Sequence, residues 1–222
     1  MKSVICTVDV VLLTLKNNEL HVMLNKRARA PFEGQWSLPG GFIRPEEDFN
    51  AKASALRVLQ DKTRMNVPWV EQLETFSGGE RDPRGWSISV AYYALVPVSL
   101  LELSMAEDVA LFPVSRIEAL PFDHQYILDC AVSRVRNKST YSSLPVYLCG
   151  EHFTIPQLQA VYETLLDEPL NKVTFRKKLD EMDILEPVEG ERVISSGANR
   201  PAQVYRLKTQ FIDNLSLTNR GF

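Results

Sequence analysis

The residues best suited to chemistry cluster in the first half of the chain. A glycine-rich turn, Leu38-Pro39-Gly40-Gly41-Phe42, precedes two carboxylates, Glu46 and Glu47, and a run of helical composition from Ala51 to Thr63. That run carries Arg57, Val58, Asp61 and Lys62, whose three- and four-residue spacings put them on one helix face. A hard divalent cation needs several anionic oxygens. This face offers one carboxylate, one apolar side chain and one ammonium, so it is expected to hold metal poorly. Arg27, Arg81 and Arg84 suit forked, charge-assisted contacts to phosphate. Asp82 can orient one of these arginines or accept from a sugar hydroxyl, and Trp36 and Trp86 offer flat faces for stacking on a base. His124, beside Asp123, either contacts a ligand or closes a turn. Trp86 at a strand start also suits the core, and Asp82-Pro83-Arg84-Gly85 also suits a plain turn. The Arg81/Arg84 pair is the stronger candidate, because two arginines flanking a rigid turn favour an anion.

Composition narrows the classes. The 222 residues fit one large domain or two small ones. A hydrophobic content of 45% is ordinary for a globular protein, and a net charge of −3 gives no global basic signal for nucleic acid. No apolar run reaches the length of a membrane span, and Met1-Lys2-Ser3-Val4 lacks a signal-peptide layout, so a cytoplasmic protein is expected. Cys6, Cys130 and Cys149 are odd in number and widely spaced, which suits a reducing compartment and no disulfide framework or zinc cluster. His21, His124 and His152 are equally scattered, so no histidine metal site is expected.

The elements that must position these residues read as strands around one helix. Val4–Leu15 and Leu20–Arg27, joined by the polar Lys16-Asn17-Asn18-Glu19, read as a hairpin. Trp69–Phe76 and Trp86–Leu95 are two further strands flanking the loop that carries Arg81 and Arg84. A helix is predicted over Gln125–Lys138, followed by a crossing segment at Tyr141–Pro145.

From Phe153 the period becomes helical. Thr154 and Gln157 form a capping-box pattern, and Leu158, Val161, Tyr162, Leu165 and Leu166 make one apolar stripe that ends at Asp167-Glu168-Pro169. A second helix begins near Asn171, with Phe175, Leu179 and Met182 on its inner face and Lys172, Arg176 and Lys177 on its outer one. Ile184–Val188, a polar loop through Ser195–Pro201, and Gln203–Lys208 follow as strand, loop and strand. This is the layout of a winged helix-turn-helix, whose second helix enters the major groove. Basic residues on a helix are also common as a merely solvated face, and a helical appendage used for dimerisation fits too. The wing, with Gly197, Asn199, Arg200 and Pro201, favours DNA, since a packing helix has no need of such a loop.

Joined together, the two halves resemble the NrtR family, Nudix-related transcriptional regulators of bacteria. The resemblance runs from Val8 to Lys208 and is carried by Lys26-Arg27, Pro31-Phe32, Gly34, Trp36 to Phe42, Arg57, Lys62-Thr63, Arg81 to Trp86, Phe122-Asp123-His124, Phe153-Thr154, Tyr162-Glu163, Phe175-Arg176 and Arg200-Pro201-Ala202. Aligned on Arg57, the Nudix box puts Val58, Asp61 and Lys62 where Nudix hydrolases carry metal-holding glutamates, and Arg64 where they carry glycine. Nine residues separate Glu47 from Arg57, two more than the family spacing.

The resemblance implies an α/β (α+β) protein: a Nudix-like α/β/α sandwich with a mixed sheet over residues 1–145, then a winged helix-turn-helix domain over 146–222. It implies a homodimeric repressor of NAD biosynthesis and salvage genes, with ADP-ribose or a related NAD metabolite as effector; related branches govern sugar catabolism. No catalytic residue, metal or cofactor is expected. Ligand contacts are expected from Arg27, Trp36, Lys62, Arg81, Asp82, Arg84, Trp86 and His124, and contacts to double-stranded operator DNA from Lys172, Thr174, Arg176, Lys177, Asn199 and Arg200. The wing departs from the family tendency towards Gly-Arg-Gly-Arg-Pro-Ala, with Ala198 and Asn199 replacing one arginine and one glycine. Tyr126–Val135 and Leu144–Leu148 are the apolar segments offered for dimer contact. Two other classes stay open. One is a working magnesium-dependent hydrolase, such as an ADP-ribose diphosphatase, with metal on Glu46, Glu47 and Asp61 in a shifted register. The other is a scaffold that uses the C-terminal domain for protein contacts.

Overall fold

The computed structural model describes residues 3–65, 67, 69–102, 107–194, 201–212 and 215–217. It divides into two compact units, Met1–Lys16 with Leu20–Arg134, and Asn17–Glu19 with Val135–Phe222.

In the first unit, β1 (Ile5–Lys16) and β2 (Glu19–Lys26) form the expected hairpin. Its turn places Asn17 and Asn18 at φ 52° and 57°, the left-handed pair that matches the twist of the flanking strands and that asparagine tolerates. The short β3 (Trp36–Ser37) and β4 (Gly40–Phe42) precede α1 (Ala51–Thr63), and β5 (Glu71–Gly78) and β6 (Ser87–Leu95) follow it. Next come α2 (Val98–Glu102), β7 (Val109–Pro113) and α3 (His124–Ser139), which crosses the division between the units. The sheet runs β3-β2-β1-β6-β5, with β4 beside β1 and β7 beside β2. It is mixed, as expected: β1 and β6 are parallel, whereas β4, β3, β7 and β5 pair antiparallel with their neighbours.

Strand alternation sends Val10 and Leu12 to the same face, where they pack with Met23, Tyr92 and Ala94 against Ala55 and Leu59 of α1. Each fully buried leucine of this kind contributes roughly 1.5–3 kcal/mol. α1 starts at Asn50, whose side chain accepts from the Ala53 N–H, and ends at Arg64 in the left-handed region. A side chain there costs roughly 1–2 kcal/mol, which explains why glycine is the family choice at that position. Asp48 locks the helix to the preceding loop. Its carboxylate takes Arg57 Nε at 2.7 Å and Nη2 at 2.8 Å, the Ser54 hydroxyl and the Arg44 N–H, while Arg57 also donates to the Phe42 carbonyl. The Arg57 fork, aided by Ser54 and Arg44, holds the Asp48 carboxyl well below the usual carboxylate range against the opposing pull of desolvation. β4 crosses β1 with Gly40 opposite Asp9, and a Cβ at Gly40 would collide with Asp9 Oδ1.

The second unit contains a 3-10 segment, Leu144–Leu148, then β8 (Phe153–Thr154), α4 (Ile155–Leu166), α5 (Lys172–Met182), β9 (Leu185–Val193) and β10 (Ala202–Leu207). The capping box at Thr154 and Gln157 is formed, and Asp167 closes α4 in the left-handed region. Leu158 and Tyr162 from α4 meet Phe175, Leu179 and Met182 from α5 in one core, with Tyr162 edge-on to Phe175 at 5.2 Å. The Tyr162 hydroxyl donates to the Ser142 carbonyl at 2.8 Å, so this buried phenol is satisfied. β8, β10 and β9 form a three-stranded antiparallel sheet, completing the helix, helix, strand, strand order of a winged helix. Ile127, Leu128, Ala131 and Val135, like Leu144, Val146 and Leu148, are already buried within one chain. In the same segments Tyr126 is 62% exposed. Among the described residues no helix is long and apolar enough to cross a membrane.

Two stability tests follow from this packing. Because the folded Asp48 value is depressed, its contribution is complete above the unfolded value near pH 4 and is lost as pH falls through the lower folded value. Asp48→Asn is expected to lower the urea midpoint clearly at pH 7, with the gap to the parent shrinking as the solution is taken well below pH 4; a gap that does not change with pH contradicts the pairing. Gly40→Ala is expected to cost about 1–3 kcal/mol by overpacking against Asp9, read as a lower urea midpoint with an unchanged m-value.

Candidate functional site

A cavity of about 510 Å³ opens in the first unit. Its floor is Asp9, 5% exposed in the middle of a largely apolar strand. Ser89 donates to Asp9 Oδ2 at 2.6 Å, Arg81 Nη2 stands 3.6 Å from the same oxygen, and His124 Nε2 lies 3.4 Å from Oδ1. Burial pushes the Asp9 carboxyl up, but His124, Ser89 and Arg81 together hold it below the usual carboxylate range. His124 Nδ1 accepts from the Leu38 N–H at 3.1 Å. In the neutral ring the proton is therefore on Nε2, facing Asp9. His124 thus pins the glycine-rich turn and the floor to the first residue of α3.

Six of the expected ligand residues, Arg27, Lys62, Arg81, Asp82, Arg84 and His124, line this cavity. They do different work. Arg81 is committed: its fork grips Asp123 with two contacts of 2.8 Å and its third nitrogen donates to Ser87 at 3.0 Å. Arg81 thus holds the N-terminus of α3 while it lines the cavity with Arg84. Asp82 is buried and accepts from the Arg84 N–H and guanidinium, which closes the turn and aims Arg84. Burial pushes Asp82 up, and the hydrogen bonds from Arg84 bring it below its ordinary value. The Arg84 guanidinium lies over the Phe42 ring at 5.0 Å, and Arg27 lies over Phe122 at 4.7 Å while donating to the Pro31 carbonyl at 2.7 Å. Burial first, and then the neighbouring Arg84 charge, lower the Arg27 value. The cations crowd each other, and an anion placed among them relieves that repulsion.

Trp36 and Trp86 do not line the cavity. Trp36 packs edge-on to Phe112 at 5.1 Å, and Trp86 is 50% exposed where β6 begins. The aromatic rings that line it are Phe42 and Phe122. Sequence reasoning also missed Asp9, Arg44 and Asn25. The signal for Asp9 is a lone carboxylate inside Val8–Val11, since an unpaired charge rarely sits in a buried strand. Asn25 is buried, lines the cavity and keeps an unpartnered amide oxygen among the described residues.

The carboxylates offered for a shifted metal register do not come together. Glu47 pairs with Arg44 at 2.8 Å, Asp61 faces Arg57 at 3.5 Å, and Glu46 is absent from the cavity wall. Val58 is buried beneath Gly41, whose added Cβ would stand 3.0 Å from a Val58 methyl. Among the described residues no group of three or more His, Cys, Asp or Glu side chains could hold a metal ion. The side chains present do not fit the divalent cation of a Nudix hydrolase.

In the second unit, Lys172, Thr174, Arg176 and Lys177 are all exposed on α5, while Phe175, Leu179 and Met182 are buried. Asn171 caps the helix, its side-chain oxygen accepting from the Val173 and Thr174 N–H groups at 3.0 and 3.1 Å. Arg176 Nη2 reaches the Tyr205 hydroxyl of β10 at 3.4 Å, and Lys177 is paired loosely with Glu181 at 3.9 Å. Asn199 and Arg200, expected at the wing tip, lie outside the described residues.

Residues 7–129 match the NUDIX domain model, and residues 145–207 match that of the NrtR DNA-binding winged helix domain. The chain is 34% identical over 216 residues to the ADPR responsive transcriptional repressor NtrR of Acinetobacter baylyi, covering 95% of this chain and 85% of that protein. Its structure is similar to Shewanella oneidensis NrtR complexed with a 27mer DNA, with a TM-score of 0.90 and 35% identity across 98% of this chain and 99% of that one. The NUDIX domain of Shewanella oneidensis NrtR complexed with ADP ribose matches with a TM-score of 0.56 and 38% identity, covering 60% of this chain and 90% of that one. A Nudix domain with a crowded cationic cavity, followed by an NrtR winged helix, places this chain in the NrtR family.

Proposed function

We propose that the protein is a cytoplasmic transcriptional repressor that grips operator DNA through α5 and the β9–β10 wing and senses ADP-ribose, or a close chemical relative, in the cavity of its Nudix domain. The observation that carries this reading is the exchange at α1. Val58 and Lys62 stand where a hydrolase has metal-holding carboxylates, yet Arg27, Arg84 and Lys62 remain around the cavity. Such a site can bind a diphosphate and has no means of activating water upon it. The Lys62 ammonium supplies locally the positive charge that a glutamate-held cation supplies in a hydrolase, so no metal or other cofactor takes part. Phe42 and Phe122 offer ring faces to a base or ribose, and Asn25 offers an acceptor. The relatives support this assignment, since one is named as ADPR responsive and another is complexed with ADP ribose. NAD metabolism genes are the proposed targets, and a homodimer on a palindromic operator is the proposed assembly, because pairing two half-sites multiplies affinity and specificity.

Two experiments test the two halves of this reading. In titration calorimetry, Lys62→Ala is expected to weaken ADP-ribose binding about tenfold, the loss of one charge-assisted contact, while EDTA leaves the parent unchanged; binding abolished by EDTA contradicts a metal-free site. For DNA, Arg176→Ala is expected to cost about 1–3 kcal/mol and relax sequence preference, as for an arginine bidentate to guanine. Lys177→Ala is expected to weaken all sequences alike and flatten the salt slope by about one unit, as a phosphate contact does. Arg200→Ala at the wing is expected to act like Lys177→Ala. If all three variants bind like the parent, DNA is read elsewhere.

A further inference from the structure

The helix proposed to enter the major groove carries one exposed side chain that neither the core nor the charge pattern explains. Val173 is 79% exposed in the first turn of α5. Helical spacing puts Val173, Arg176, Lys177 and Asp180 on one outward stripe, opposite Phe175, Leu179 and Met182. A valine there gains little from burial, and its branched Cβ is a poor choice for an exposed helical site. What surrounds it is polar and largely cationic: Lys172 and Thr174 flank it, with Arg176 and Lys177 on the next turn. An apolar knob set in a cationic face is complementary to the major groove, where phosphates line the edges and the thymine 5-methyl is the apolar mark of an A·T pair. Its position fits as well, because the N-terminal residues of the second helix are those that meet base edges. Asn171 cannot read adenine with both amide atoms, since its oxygen is held by the Val173 and Thr174 N–H groups.

We propose that Val173 determines operator specificity by packing its methyl groups against the 5-methyl of a thymine in the major groove. This rests on the assignment of α5 as the DNA-reading helix. The probe is a duplex recovered with the full-length protein by selection from a random DNA library, in which each thymine is replaced in turn by deoxyuridine, removing the methyl alone. At one position per half-site the parent is expected to lose affinity about fourfold, the value of one buried methyl. Val173→Ala, which raises helix propensity and so leaves the fold intact, is expected to bind the thymine duplex correspondingly more weakly and to be indifferent to deoxyuridine at that position. Equal responses of parent and variant to every deoxyuridine overturn the proposal, as does a parent that responds to none while still binding the duplex in a salt-dependent way. If the parent recovers no duplex and shows no salt-dependent binding to any DNA, the assignment of α5 itself fails, and this inference fails with it.

Discussion

One buried carboxylate organises the first unit. Asp9 has no place in an apolar strand unless its charge is answered, and the answers come from three other parts of the chain: Ser89 of β6, Arg81 of the β5–β6 loop and His124 at the start of α3. Removing a partner from a buried charge costs far more than the pair is worth in water, so these segments are fixed relative to one another. The same carboxylate requires glycine at position 40, which brings β4 close over β1 and shapes the cavity mouth. Arg81 and His124 serve this framework, and the framework decides which remaining cations face the cavity.

Those cations give the site its character. Arg27, Arg84 and Lys62 line the cavity, and burial first, then the neighbouring Arg84 charge, lowers the Arg27 value although Asp82 and Asp9 pull the other way. A hydrolase balances such a site with glutamates and divalent metal, and the metal then polarises a diphosphate and activates water. With Val58 apolar and Lys62 cationic, the balance can come from the ligand's own negative charge. On the proposed reading recognition is retained and the chemistry is not, which is the difference between a sensor and an enzyme built on one fold.

Much of this was legible in the sequence, where a period or a motif carried it. The α4 and α5 stripes, the Thr154 and Gln157 capping box, the Asn17-Asn18 turn and the long strands all announce themselves locally, because each depends on spacing within one segment. The short strands β3, β4 and β7 do not: two to five residues are too few for a period, and they exist because β1 and β2 offer them edges. The roles of individual arginines were equally invisible. Arg81 and Arg84 look alike in sequence, and only the fold shows that Arg81 grips the distant Asp123 while Arg84 grips Asp82 within its own turn. That Phe42 and Phe122 line the cavity was invisible for the same reason, since a ring's type can be read from sequence but its facing cannot.

The most direct test of the account is a single-turnover assay, with the unmodified protein in excess over ADP-ribose and magnesium present. The account predicts that the nucleotide remains bound and intact, with no AMP or ribose 5-phosphate formed over hours. Stoichiometric, magnesium-dependent cleavage would contradict it, because that would require a working cation site on a helix face that offers Val58 and Lys62 in place of carboxylates.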